Sequence, residues 1–274
     1  MRPPRLAVTL VAHGSRDPRA AQATEALARA VGALHPAWDV RASYLDHSVP
    51  RPRQVLASFA AAGHRRAVLV PLLLTAAFHG RVDVPAEIAA APASLDVALA
   101  DVLGPVGGVV PSLLLDGLIT RLGDAGPSGW LGDAGPSSWL GDAAPSCWLG
   151  DAGLDGVVLA AAGTRDAGAR ETVAAAAAAL GDRLGVPCRV AYASAAPPVS
   201  GDAVRSLRAA GCRRIALASY FLAPGLLWDA TVASASDAGV SYVASPLTDT
   251  PALVSLVAAR VLAAVARPAA VPAA

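Results

Sequence analysis

Lysine is absent from this chain; all 22 basic residues are arginine, and the formal net charge is only +1. A surface so nearly neutral carries no broad positive field, which argues against a nucleic-acid partner. Cysteine is scarce as well. Cys147, Cys188 and Cys212 have no CxxC-type spacing, so neither a disulfide framework nor a cysteine-held zinc is expected. Long apolar runs are missing although hydrophobic residues make up 54% of the chain. Alanine supplies much of that fraction, and no uncharged stretch reaches the roughly eighteen residues of a membrane span. A Gly-x-Ser-x-Gly elbow is also absent, which removes the signature of an α/β hydrolase. Arg2 and Arg5 precede a short apolar run in the manner of a signal peptide, but the run leads straight into His13 without a small-residue cleavage site. It reads instead as a first buried strand, and the chain as cytoplasmic.

What the chain does have is a phrase stated twice and altered once. Ala12-His13-Gly14-Ser15-Arg16-Asp17 follows the apolar run Leu6 to Val11, and Ala161-Ala162-Gly163-Thr164-Arg165-Asp166 follows Val157 to Ala160. Three further anchors keep step. Gly63-His64-Arg65-Arg66 matches Gly211-Cys212-Arg213-Arg214, Tyr44 matches Tyr192, and Pro50 matches Pro198, each proline read as opening the following helix. The chain of 274 residues therefore divides into two similar halves.

Each half alternates β-branched apolar runs with alanine-rich stretches of helical period. Strands are predicted near 6–12, 39–45, 66–71 and 95–99, with helices near 18–34, 50–62, 82–91 and 111–121. The second half repeats this with strands near 156–160, 188–193, 213–219 and 240–244, and helices near 167–184, 200–210, 228–238 and 250–265. That order is α/β, two tandem domains (1–122 and 154–268), each a four-stranded parallel sheet with helices on both faces. A short tail, 269–274, follows. Between the halves, at 123–153, a nine-residue unit ending in Ser-x-Trp-Leu starts at Gly123, Gly132 and Gly141. Its Gly/Ala-Pro pairs break helix and strand, so it reads as a linker rather than as a tryptophan lid over a flat ligand.

Ligands of a parallel α/β sheet bind at the carboxyl ends of its strands. In the first half three residues with metal-ligand chemistry fall there: His13 after the first strand, Asp46 (with His47 beside it) after the second, and His79 beyond the third. Two imidazoles and a carboxylate suit a divalent first-row metal and leave coordination positions open. Asp46 and His47 remain alternatives for the third position. The second half is an internal control, because the matching positions are Ala162, Ser194 and Leu227. Three side chains lost together from an otherwise retained frame behave as one site. His35 and His64 read as surface residues.

The segments Val11-Ala12-His13-Gly14-Ser15-Arg16-Asp17-Pro18, Tyr44-Leu45-Asp46 and Val70-Pro71 through His79-Gly80-Arg81-Val82-Asp83-Val84-Pro85 resemble the sirohydrochlorin chelatase family of the CbiX type. The resemblance implies a class II chelatase fold that inserts cobalt(II) or iron(II) into sirohydrochlorin, in cobalamin or siroheme synthesis. It implies His13 and His79 as catalytic residues and metal ligands, with Asp46 where the family usually has glutamate. No cofactor is implied beyond the divalent metal substrate, for which nickel is a third candidate. The expected partners are the tetrapyrrole and the metal, with no nucleic acid or membrane, in a monomer or homodimer. Sirohydrochlorin carries eight carboxylates, so Arg16, Arg19, Arg51, Arg53 and Arg81 are candidates to receive them. The competing readings are a non-catalytic metal or tetrapyrrole carrier and, further off, a hydrolase using His13 as an oxyanion-loop residue.

Overall fold

The computed structural model describes residues 6–75, 83–125 and 153–267. Its first half contains β1 (Leu6–Ala12), α1 (Pro18–Leu34), β2 (Trp38–Tyr44), α2 (Pro52–Ala61), β3 (Arg66–Pro71), α3 (Asp83–Ala89), β4 (Asp96–Leu99) and α4 (Ser112–Ala125). The second half contains β5 (Gly156–Ala161), α5 (Ala167–Leu184), β6 (Cys188–Tyr192), α6 (Ser200–Ala209), β7 (Ile215–Tyr220), α7 (Leu226–Asp237), β8 (Tyr242–Val243) and α8 (Pro251–Ala266). Two parallel sheets result, in the orders β2-β1-β3-β4 and β6-β5-β7-β8. The strand after which His13 stands is thus flanked by the other two strands of interest. The central strands are apolar on both faces because helices cover both, and every residue of β5 and β7 is buried.

Local signals account for the helix starts. Asp17 caps α1, its carboxylate accepting from the Arg19 amide at 3.0 Å, and Pro18 follows in the first turn. Asp166 repeats the cap on α5, accepting from the Ala169 amide at 2.9 Å. The α5 stop is Gly185, left-handed at φ 68°, whose N–H reaches the Gly181 carbonyl.

Two expectations need correction. Pro50 and Pro198 do not open helices; α2 and α6 begin at Pro52 and Ser200. The Pro50 and Pro198 carbonyls instead accept from the Tyr44 and Tyr192 amides at 3.0 and 2.9 Å, closing the turn after each second strand. His64 is not a surface residue. Its side chain is 13% exposed, its Nε2 lies 3.4 Å from Asp39 Oδ2, and its ring meets Phe59 edge-on. His35 lies half-buried, stacked on Trp38 at a centroid separation of 3.9 Å.

The halves exchange their terminal helices. Helix α4 packs on β7, β8 and α5 of the second half, whereas α8 packs on α1, β3 and β4 of the first and on α4 itself. Leu114, Leu118 and Leu122 of α4 and Leu253, Val257 and Val261 of α8 are buried in one core cluster with residues of both sheets. Burying each such side chain contributes roughly 1.5–3 kcal/mol, so the two sheets share their apolar interior. Polar ties reinforce the exchange. Arg121 Nε donates to the Pro246 carbonyl at 2.9 Å and Arg183 Nη2 to Asp116 at 2.8 Å. Arg260 Nη2 donates to the Gly104 carbonyl at 3.2 Å, and Arg267 pairs with Asp101.

Candidate metal centre

The loops after β1 and β2 form one rigid corner. The Asp46 amide donates to the His13 carbonyl at 2.7 Å, and the Leu45 amide to the Ala12 carbonyl at 3.0 Å. Gly14, at φ +93°, lets the two loops touch; a Cβ there would stand 1.7 Å from the Asp46 carbonyl oxygen. The second half builds the same corner. Gly163 at φ +95° lies under the Ser194 carbonyl, and the Ser194 amide donates to the Ala162 carbonyl at 3.2 Å. Even the non-glycine residue of positive φ is repeated, as His47 at 56° and Ala195 at 65°. The scaffold is duplicated in detail, and the ligand-type side chains are present in one copy.

His13 and Asp46 are both exposed at this corner. The His47 ring is edge-on to that of His13, 6.5 Å between centroids. Asp46 accepts from the His47 amide through Oδ1 at 2.8 Å, and that hydrogen bond holds its carboxyl below the usual value. The charges of His47, whose Nε2 is 3.5 Å from Oδ2, and Arg51, whose Nη2 is 3.5 Å from Oδ1, act in the same direction. An ionised, exposed carboxylate beside an imidazole is suitable metal-ligand chemistry. Among the described residues no three His, Cys, Asp or Glu side chains converge as a set. His79 and Arg81 lie outside the described residues.

The remaining arginines differ in what they are already doing. Arg19 is engaged on two sides, with Nη2 2.5 Å from Asp17 Oδ2 and 2.6 Å from Asp229 Oδ2 of the second half. Arg53 is held by Glu87, which accepts from its backbone amide at 3.0 Å and lies 3.8 Å from Nη1. Arg51 leans on Asp46. Arg16 is exposed and has no ion-pair partner among the described residues. Its counterpart Arg165 is exposed in the same way. Arg165 stands in the second copy of the doubled phrase, where the sequence marks it, whereas nothing in the sequence marks Asp229, which meets Arg19 only in the fold.

Comparison with known proteins agrees with this architecture. The family model described as CbiX matches twice, over residues 7–115 and 156–264. A sirohydrochlorin cobaltochelatase of Methanococcoides burtonii is 25% identical over 81 residues, a match covering 30% of this chain and 62% of that protein. In three dimensions the chain is similar to SirB from Bacillus subtilis with iron(III), at TM-score 0.74 and 20% identity over 96% of each chain. It is also similar to a CbiX described as the terminal enzyme for siroheme biosynthesis in denitrifying bacteria. That likeness has TM-score 0.62 and 22% identity, over 95% of this chain and 99% of the other.

Proposed function

This chain belongs to the CbiX family, and from that premise we propose that it is a sirohydrochlorin chelatase, inserting cobalt(II) or iron(II) into the tetrapyrrole. One observation carries the reading: two superposable strand-end corners, of which only the first bears His13 and Asp46 where the second has Ala162 and Ser194. A cleft bounded by two such unequal corners would suit a flat macrocycle approached by metal from one side.

Metallation removes two pyrrole N–H protons as the metal enters, and the metal sheds its water as pyrrole nitrogens replace it. His13 and the ionised Asp46 would hold the metal substrate at the first-half corner. His79 is proposed as the third ligand and, once the metal has passed from its ring nitrogen to the macrocycle, as acceptor of one pyrrole proton, the second leaving to solvent water; imidazole takes up a proton near neutral pH. The backbone bond from Asp46 to His13 fixes the two loops relative to each other, so the donor positions are set before metal arrives. Arg16 would receive a peripheral carboxylate. Arg19 contributes less, since its guanidinium already serves Asp17 and Asp229.

The reading needs no resident cofactor and takes both walls of the cleft from one chain. No helix among the described residues is long and apolar enough to cross a membrane; the reading puts the reaction in the cytoplasm. The test is anaerobic mixing of sirohydrochlorin with cobalt(II), iron(II) or nickel(II), followed by absorbance. The wild type should accelerate metallation over the spontaneous rate, and His13→Ala and His79→Ala should each slow it by roughly a hundredfold. Metal binding without acceleration would select a carrier instead. A wild-type rate in His79→Ala would remove that residue from the mechanism. The ranking of the three metals gives the order in which the site handles them, because the donor set by itself accepts them all.

A further inference from the structure

Two leucines of the second half are exposed and belong to none of the apolar clusters among the described residues. Leu226 and Leu227, the first residues of α7, are 74% and 46% exposed. Scattered exposed leucines are ordinary, but this pair is adjacent, stands at a strand's carboxyl end, and is held in place. The next residue, Trp228, donates its indole N–H to Ser219 of β7 at 2.8 Å. Asp229 accepts from Arg19 through both carboxylate oxygens, at 2.6 and 3.3 Å. The turn is thereby tied inward to its own sheet and sideways to the start of α1, beside the His13 loop.

Chain register adds a second observation. β1 and β3 pair as Ala7↔Ala67, and β5 and β7 as Gly156↔Ile215, so the two halves keep the same frame. Counted along the sequence at the offset that pairs Gly63 with Gly211, Leu227 matches His79. The rim supplies a third. Arg16 and Arg165, one from each half, are exposed at the matching carboxyl ends of β1 and β5, without ion-pair partners among the described residues. An apolar pair and two exposed arginines, all beyond the carboxyl ends of strands, match a ligand with an apolar face and an anionic edge.

We propose that Leu226 and Leu227 form the seat for the face of the tetrapyrrole turned away from the metal ligands. The proposal rests on the chelatase reading and deepens it. The first half holds metal, and the second half, stripped of ligands, holds the ring against it. The pair acts in binding rather than in the proton or metal steps.

The experiment compares wild type with the double variant Leu226→Ser/Leu227→Ser in steady-state metallation of sirohydrochlorin by cobalt(II). Loss of two partly covered leucine contacts should raise KM for sirohydrochlorin by about tenfold, with a smaller effect on kcat. Thermal unfolding and cobalt(II) affinity without tetrapyrrole should stay at wild-type values, since the pair is exposed and no metal ligand is touched. Leu226→Met/Leu227→Met, which keeps the apolar area, should restore the low KM. A serine variant whose KM stays within twofold of an active wild type overturns the seat and leaves the chelatase reading intact. So does a variant that loses kcat alone or cobalt(II) affinity. A wild type that neither binds nor metallates sirohydrochlorin overturns the chelatase reading, and the seat with it.

Discussion

Gly14 and Asp46 meet backbone to backbone, so closely that a Cβ on Gly14 would stand 1.7 Å from the Asp46 carbonyl oxygen. The loop bearing His13 and the loop bearing Asp46 therefore occupy their present positions because one residue has no side chain. The same relation, between Gly163 and Ser194, holds in the half without ligands at 1.9 Å.

That symmetry separates stability from metal binding. Gly14→Ala and Gly163→Ala should each cost roughly 1–3 kcal/mol from backbone strain at positive φ, with further loss from the clash. Only Gly14→Ala should also lower cobalt(II) affinity, by roughly tenfold or more, because it displaces Asp46 from His13. Urea denaturation and metal titration on both variants provide the comparison. Equal cobalt(II) affinity in the two would show that the corner does not organise the site.

Asp46 and His47 are distinguishable as the donor from the loop after β2. Asp46→Asn should weaken cobalt(II) binding by roughly tenfold or more, and His47→Ala by less. The pH dependence follows from the direction of the Asp46 shift. Its carboxyl is held below its ordinary 3.8 by the His47 amide first, then by the charges of His47 and Arg51. A depressed carboxyl stays ionised as pH falls until it reaches the folded-state value, which lies below the ordinary 3.8, so Asp46 is in its ligand form across the range in which imidazoles titrate. Metal lost between about pH 5 and 7 therefore reports an imidazole. In Asp46→Asn that midpoint should persist at reduced overall affinity, as read by cobalt(II) titration at several pH values.

Arg16 and Arg19 should behave differently although both stand at the mouth of the β1 loop. Arg19 already donates to Asp17 and Asp229. Arg16→Ala should raise KM for sirohydrochlorin by roughly three- to tenfold, more at low than at high ionic strength. Arg19→Ala should change it less. Kinetics at two salt concentrations compare them, and a larger effect from Arg19 would mean that substrate carboxylates displace Asp229.

The hydroxyl of Tyr220 tests the join between halves. It is buried, its phenol pKa is pushed up by that burial, and it donates to the Leu74 carbonyl of the first half at 3.1 Å. Tyr220→Phe should cost about 1–2 kcal/mol by leaving that carbonyl without its donor. Urea denaturation monitored by circular dichroism measures the loss.

Much of the fold was legible because its signals are local. The Asp-Pro start of α1 and the apolar strands before each Gly-x-Arg-Asp turn placed α1 and α5 at the residues where they occur. The His64 pairing was not legible, since a histidine after Gly63 reads as a turn until Asp39, distant in sequence, is brought beside it. Pro50 was misread for a related reason: a proline signals that a helix is near, while its carbonyl partner, Tyr44, decides that it closes a turn.

The candidate site was legible to the same extent. His13 and Asp46 announce themselves by residue type, strand-end position and joint absence from the second half, and the β1–β2 register brings their loops together. The state of the arginines did not. Arg16 and Arg19 look alike in the sequence, and only Asp229, which α7 carries across from the other half, tells them apart.

By itself the sequence determined the two-fold repeat, the alternation of strands and helices, and the half that carries the candidate ligands His13 and Asp46. These rest on composition, period and capping, which act over a few residues. The tertiary structure alone decided that α4 and α8 change places and that Arg19 is spent on Asp229. It alone decided that Leu226 and Leu227 stand exposed at the start of α7. An amphipathic helix specifies that its apolar face must be covered but not by which sheet, and a charge specifies no partner. Those choices belong to the packing of the whole chain.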